Sequence, residues 1–268
     1  MTVSDHINTL AAFCGRRDLP RLSAEALFEK YGIRKVDVFV LFGGSILAGG
    51  DVLAQAIRDK IADKYVIVGG AGHTTETLRE RVRAEYPEME TAGLAEAEIF
   101  QMYLQRIHGC QADYLETEST NCGNNITFLI DLLDRNKVSW KSIILCQDAS
   151  MQNRMDAGLR KYAPEGTTII NFAAYSARLQ ETDGQPEYTS KIHGMWEIDR
   201  YVNLLMGEIP RLSDNPDGYG PCGRGFIAHV DIPAEVLYSF DELKKIYGGK
   251  TRTANPAFAD KPKKTEET

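Results

Sequence analysis

A local pattern that repeats along this chain constrains its fold more than anything else in the sequence. A short β-branched apolar run meets a pair of glycines, and a stretch with helical spacing follows. Val36-Asp37-Val38-Phe39-Val40-Leu41-Phe42 is almost continuously apolar and ends in Gly43-Gly44-Ser45. Tyr65-Val66-Ile67-Val68 ends in Gly69-Gly70-Ala71-Gly72-His73-Thr74-Thr75, after which Leu78 and Val82 recur at helical spacing. Runs this short and apolar suit strands covered on both faces, as in a parallel sheet. The glycines let the backbone bend and approach a ligand closely. Each helix start beyond them offers free N–H groups and the positive end of its dipole.

The rest of the chain continues the alternation. Val3, Ile7, Leu10, Ala11 and Cys14 mark an opening amphipathic helix, and Ser23 caps a second that Gly32 ends. Asp51 is placed to cap a helix whose inner face is Leu53, Ile57 and Ile61. Ile99, Phe100, Tyr103, Leu104 and Ile107 mark another helix, opened by Ala95-Glu96-Ala97-Glu98. Asp113–Glu116 gives a short strand, Ser142–Cys146 a fourth and Thr167–Phe172 a fifth, with helices after Asn121 and after Ser150. Beyond Tyr175 the pattern changes. Residues 181–186 read as a turn-rich loop, Trp196–Leu205 as a helix ending at Gly207, and Pro233 opens a helix burying Val236, Leu237, Phe240 and Leu243.

The expected fold class is therefore α/β, a Rossmann-like parallel sheet of about five strands with helices on both faces. A small, mainly helical part from the N-terminal helices and the C-terminal segment is added to it. The expected organisation is an α/β domain over 33–175, helical additions over 1–32 and 176–260, and a disordered charged tail over 261–268. Sheets of this kind bind ligands beyond the carboxyl ends of their strands, and the polar motifs all fall there.

Composition narrows the function. A net charge of −7 argues against a nucleic-acid partner held on a basic face. No run approaches a membrane span, and the N-terminus lacks a secretory layout, so the expected location is the cytoplasm, away from the membrane. The five cysteines are scattered without a C-x-x-C pair, which points to reduced thiols and no metal site. Cys122 alone lies in a polar motif.

Familiar phosphate signatures fail. Gly44 through Asp51 has no Walker lysine, and Gly43-Gly44-Ser45-Ile46-Leu47-Ala48 is not G-x-G-x-x-G. The acidic residue that usually ends the second strand and holds ribose hydroxyls is replaced by Gly69-Gly70. Ser119-Thr120-Asn121-Cys122-Gly123-Asn124-Asn125 concentrates hydroxyls, amides and a thiol. Either Asn121 caps a helix and Ser119 bonds a turn, or the motif contacts a ligand; capping would occupy two of these side chains and leave several over. Glu96 and Glu98 read either as a general-base pair or as solvated glutamates favoured in a first turn. His73 is either an acid or base near neutral pH or a donor to the sheet edge. Arg154 either meets an anion or lies on the surface.

Together these residues resemble the bacterial YdcF/SanA family of α/β domains. The likeness rests on Asp37 through Ser45, Val66-Ile67-Val68-Gly69-Gly70, Glu96, Ser119 through Asn125, and Arg154. It is greatest to YdcF-like members, through Ser119-Thr120-Asn121-Cys122-Gly123, Gln147-Asp148, Gly207–Leu212, Asp217-Gly218-Tyr219-Gly220-Pro221, Phe226 and His229-Val230-Asp231. The resemblance implies a nucleotide-type small-molecule ligand, with S-adenosyl-L-methionine first, and brings no settled reaction. Binding residues expected from the residues and the resemblance together are Gly43, Gly44 and Ser45; Gly69, Gly70, Gly72, His73 and Thr74; Glu96; Ser119, Asn121 and Asn125; and Asp148 and Arg154. Many members carry a histidine where this chain has Met151, and an acid where it has Asn124, which removes two titratable groups. The competing expectation is a non-catalytic binding or adaptor protein linked to cell-envelope biogenesis, with a homodimer left open.

Overall fold

The computed structural model describes residues 1–72 and 74–248. The elements run α1 (Val3–Cys14), α2 (Ala24–Tyr31), β1 (Val36–Phe42), α3 (Ala48–Arg58), β2 (Ala62–Val68), α4 (Thr75–Glu85) and α5 (Glu96–Tyr103). They continue with β3 (Tyr114–Glu116), α6 (Cys122–Arg135), β4 (Ser142–Cys146), α7 (Gln152–Tyr162) and β5 (Thr168–Asn171). A hairpin of β6 (Leu179–Thr182) and β7 (Gln185–Tyr188) precedes α8 (Ile198–Leu212) and α9 (Ala234–Tyr247).

Strands β1 to β5 form one five-stranded sheet in the order β3-β2-β1-β4-β5, every pair parallel. This is a Rossmann-like α/β sheet. Strand order reverses at β1, which pairs with β2 on one side and β4 on the other. The period-2 alternation of a strand explains how the sheet is covered. Val38, Val40 and Phe42 face a cluster with Ile126, Leu129 and Leu133 of α6 and Met155 and Leu159 of α7. Phe39 and Leu41 face the other way, into a cluster with Ile7 and Leu10 of α1, Leu53 of α3, Phe100 of α5, Tyr201 of α8 and Val236 of α9.

Several boundaries depart from the sequence reading. Asp51 does not cap α3: the helix starts at Ala48, Asp51 lies in its first turn, and its carboxylate binds Tyr103, His108 and His193 instead. Ile61 lies past the end of α3, buried just before β2. Residues 181–186, read as a turn-rich loop, carry a turn only at Asp183-Gly184, at φ 51° and 75°; 181–182 end β6 and 185–186 open β7. Helix α8 runs through Gly207 to Leu212, and Trp196 stands outside it. Leu237, expected inside, is exposed on α9. The expected tail over 261–268 lies outside the described residues.

Candidate functional site

The site is built from four strand ends. Gly43-Gly44-Ser45 follows β1, Gly69 to Gly72 and Thr74 follow β2, Thr117 to Asn121 follows β3, and Gln147-Asp148 follows β4. Glu96, first residue of α5, is clamped across the ends of β1 and β2. Its backbone N–H donates to Gly70 O at 3.0 Å, and that of Ala97 to Gly69 O at 2.8 Å. The glycines there are required by close approach. A Cβ on Gly43 would stand 2.6 Å from Glu96 Oε2, and one on Gly69 would stand 3.0 Å from Glu96 Cβ. At Gly70 it would stand 2.2 Å from the carbonyl oxygen of Ser119.

Glu96 is not a solvated first-turn glutamate: it is 7% exposed. Oε1 accepts from Thr75 Oγ1 at 2.8 Å and from Thr74 Oγ1 at 3.3 Å, while Oε2 makes no hydrogen bond to a described residue. Burial pushes its pKa above the ordinary glutamate value, against the threonine hydroxyls and Arg79, which pull it down. Glu98 is a local capping residue, its carboxylate accepting from Ala95 N at 2.7 Å.

On the other side of β1, Gln147 is 1% exposed. Its backbone N–H is held by Gln152 Oε1 at 2.9 Å, and its Oε1 accepts from Asp148 N at 2.6 Å. Its Nε2 has no partner. Gln147, Asp148, Gly44, Ile46 and Phe100 line a cavity of about 10 Å³, room for one water. Asp148 is fixed by Ser150, by Tyr175 OH at 2.7 Å and by Trp196 Nε1 at 3.3 Å.

Ser119 Oγ accepts from Gly70 N at 3.1 Å, tying the turn after β3 to the glycines after β2. Asn121 caps α6, its Oδ1 accepting from Asn124 N at 3.0 Å and its Nδ2 donating to Asn124 Oδ1 at 2.9 Å. Asn125 lies one turn in, and its amide forms no hydrogen bond with a described residue. Ser45 Oγ donates to Thr74 O at 3.0 Å, so the turns after β1 and β2 are joined. Gly72 N donates to Thr75 Oγ1 at 2.7 Å. His73 lies outside the described residues. Arg154 borders this group through Cys122, the first residue of α6, while its guanidinium pairs with Glu208 of α8, through Nε–Oε2 and through Nη2–Oε1 at 2.9 Å, and Nη2 also donates to Met151 Sδ at 3.2 Å. Burial opposes its charge. The neighbouring Cys122 and Glu208 outweigh burial, holding its pKa above the ordinary arginine value.

A strap over 189–197, between β7 and α8, closes the mouth beside β4. Arg81 Nη1 donates to Ser45 O and to Gly194 O, each at 2.6 Å, and its guanidinium stacks 4.1 Å from the Trp196 ring. His193 Nδ1 lies 2.9 Å from Asp51 Oδ2, and its Nε2 lies 2.8 Å from Glu85 Oε1. Asp51 Oδ1 takes Tyr103 OH at 2.6 Å and faces His108 Nε2 at 2.9 Å, a residue that a π-helical turn after α5 brings into place. None of this was legible from local pattern, because Arg81, Asp51 and Glu85 lie more than a hundred residues from their strap partners.

The His193 latch should respond to pH. Burial lowers its pKa, but hydrogen bonds to Asp51 and Glu85 win, so the folded value lies above the ordinary histidine value of ~6.5. A raised folded pKa gives stability that is complete below the unfolded value and lost as pH rises through the folded one. Denaturant unfolding of wild type and His193→Asn at pH 6 and pH 8.5 is expected to show a clear gap at pH 6 that shrinks at pH 8.5. An equal gap at both would mean the imidazolium adds nothing.

A larger groove of about 430 Å³ runs between α1 and the turn after β5, lined by Asn8, Thr9, Ala149, Tyr175 and Arg178. Asn8 is already paired with the Leu179 backbone, and among the described residues no unpartnered buried group lines the groove. The chemistry therefore concentrates at β1. Among the described residues, no group of three or more His, Cys, Asp or Glu side chains could hold a metal, and no helix is long and apolar enough to cross a membrane.

Sheet order and strand-end geometry together define an α/β protein of Rossmann-like fold with its polar groups gathered at the switch point of the sheet. No protein-family model matches the chain.

Proposed function

We propose that this protein binds a nucleotide-type small molecule, S-adenosyl-L-methionine first among them, across the carboxyl ends of β1, β2 and β4. The observation that carries the reading is Gln147 Nε2, a buried donor without a partner beside the Gly43–Gly44 turn. Such a donor left unpaired costs about 1–3 kcal/mol, and an oxygen or ring nitrogen at the tip of a ligand, taking the one water-sized space beside it, would satisfy it. The resemblance to YdcF-like proteins supports the same ligand class. No reaction is assigned, since Met151 occupies the position of the family's histidine and its sulfur takes an Arg154 N–H.

A thermal-shift panel of S-adenosyl-L-methionine, ATP and NAD tests this. A ligand present at ~100 Kd adds about 2.7 kcal/mol of stability. No shift with any of the three at millimolar concentration overturns the reading. Two asparagine variants then map the site. Asn121→Ala loses the cap of α6 and should cost about 1 kcal/mol of stability. Asn125→Ala breaks no hydrogen bond with a described residue, so its melting temperature should hold while ligand affinity falls several-fold. Unchanged affinity in Asn125→Ala would move the ligand away from α6.

A further inference from the structure

Rossmann-type sheets hold a ribosyl diol with an acidic residue at the end of β2, and here that end is Gly69-Gly70. The structure shows what fills the space. Glu96 reaches it from α5, with its Cβ 3.0 Å and its Oε2 3.4 Å from where a Gly69 Cβ would be, and its Oε2 2.6 Å from the corresponding Gly43 position. Gly69 stands where a β2 acid would have stood, and Gly43 and Gly69 together leave room for a carboxylate from another helix.

The two oxygens of this carboxylate are not equivalent. Oε1 is saturated by the Thr74 and Thr75 hydroxyls, which fix the plane of the group. Oε2 has no hydrogen-bond partner among the described residues. Oε2 is not one of the fully enclosed unpaired atoms, so it opens on the space beyond the strand ends, where a pair of hydroxyl donors can reach it. Gln147 Nε2, on the other side of the Gly43-Gly44 turn, is a second unpaired polar group near these strand ends.

We infer that Glu96 Oε2 is the anchor for the cis-diol of a ribosyl group, replacing the missing acid of β2, and that it sets the preference for ribosides over deoxyribosides. This rests on the nucleotide-binding reading and adds the group recognised. Hydroxyls donating to Oε2 favour the ionised carboxylate, so riboside binding should weaken as the pH falls and Glu96 takes up a proton.

Titration calorimetry with adenosine and 2′,3′-dideoxyadenosine decides the matter. The intact protein is expected to prefer adenosine by about ten- to a hundred-fold, the worth of hydrogen bonds to a charged group. In Glu96→Gln, which keeps the threonine contacts, the preference should shrink to within about three-fold, while the melting temperature at pH 8 does not fall. Equal binding of the two nucleosides by the intact protein overturns the diol anchor and leaves the nucleotide reading standing. Binding of neither, with S-adenosyl-L-methionine also silent, overturns both. Adenosine binding that strengthens toward acid pH would make Glu96 a donor and also overturns the anchor. Should Glu96→Gln fail to fold, the nucleoside comparison and its pH profile on the intact protein still decide.

Discussion

Arg154→Ala is expected to destabilise the protein by about 3–5 kcal/mol, because it leaves the Glu208 carboxylate buried without its partner. The side chains of Arg154 and Glu208 are 10% and 5% exposed. The pair joins α7 to α8, so the loss should loosen the attachment of the C-terminal helices to the sheet. The double change Arg154→Met with Glu208→Leu removes both charges and should recover most of that loss, since apolar replacement of a buried pair is commonly neutral or better. Urea unfolding of wild type, single and double variants gives the comparison. A loss below about 1 kcal/mol in Arg154→Ala would mean that water reaches the pair and that the bridge is of the weak, solvated kind.

Gly70→Ala should cost about 3 kcal/mol or more, the upper end of what overpacking does. The added methyl would meet backbone, not a yielding side chain, at Ser119 O and at Thr117 O, 2.2 and 2.7 Å away. Relief requires the turn after β3 to move, which also breaks the Gly70 N–Ser119 Oγ bond and shifts the start of α6. Gly44→Ala is the matched contrast. Its nearest neighbour, Gln147 Oε1, is 3.5 Å away, an ordinary contact. Its melting temperature should stay close to wild type while ligand affinity drops, because the methyl fills space next to Gln147. If both variants fold equally well, the turn after β3 is far more compliant than its hydrogen bonds suggest.

Much of the sheet was readable in the sequence because its causes are local. Strand β1 falls on Val36–Phe42 as the apolar run predicts, and Ser23 and Gly32 bound α2 through cap bonds made within a few residues. The Asp183-Gly184 turn was also a local signal, since an aspartate–glycine pair favours a two-residue hairpin turn. It was hidden by polar strands that lack an apolar alternation. The site was half legible. Glycines at strand ends and the Asn121 cap follow from backbone rules, whereas the burial of Glu96 depends on α5 meeting Gly43 and Gly69. Arg154 and Asp51 carry no local mark of their partners, which lie 54 and 142 positions away for Glu208 and His193.

The strap also has a consequence for the order of assembly. Its bonds join Arg81 to Gly194 and Asp51 to His193, sequence separations of 113 and 142 residues. Loop closure over such distances slows folding, since the entropy is lost before the contact returns anything. During synthesis β5, ending at Asn171, emerges ahead of the strap, and folding that followed the order of emergence would form the switch point before shutting it. In that order Gln147 and Asp148 would face solvent for an interval, and a ligand present then would enter without having to displace Trp196.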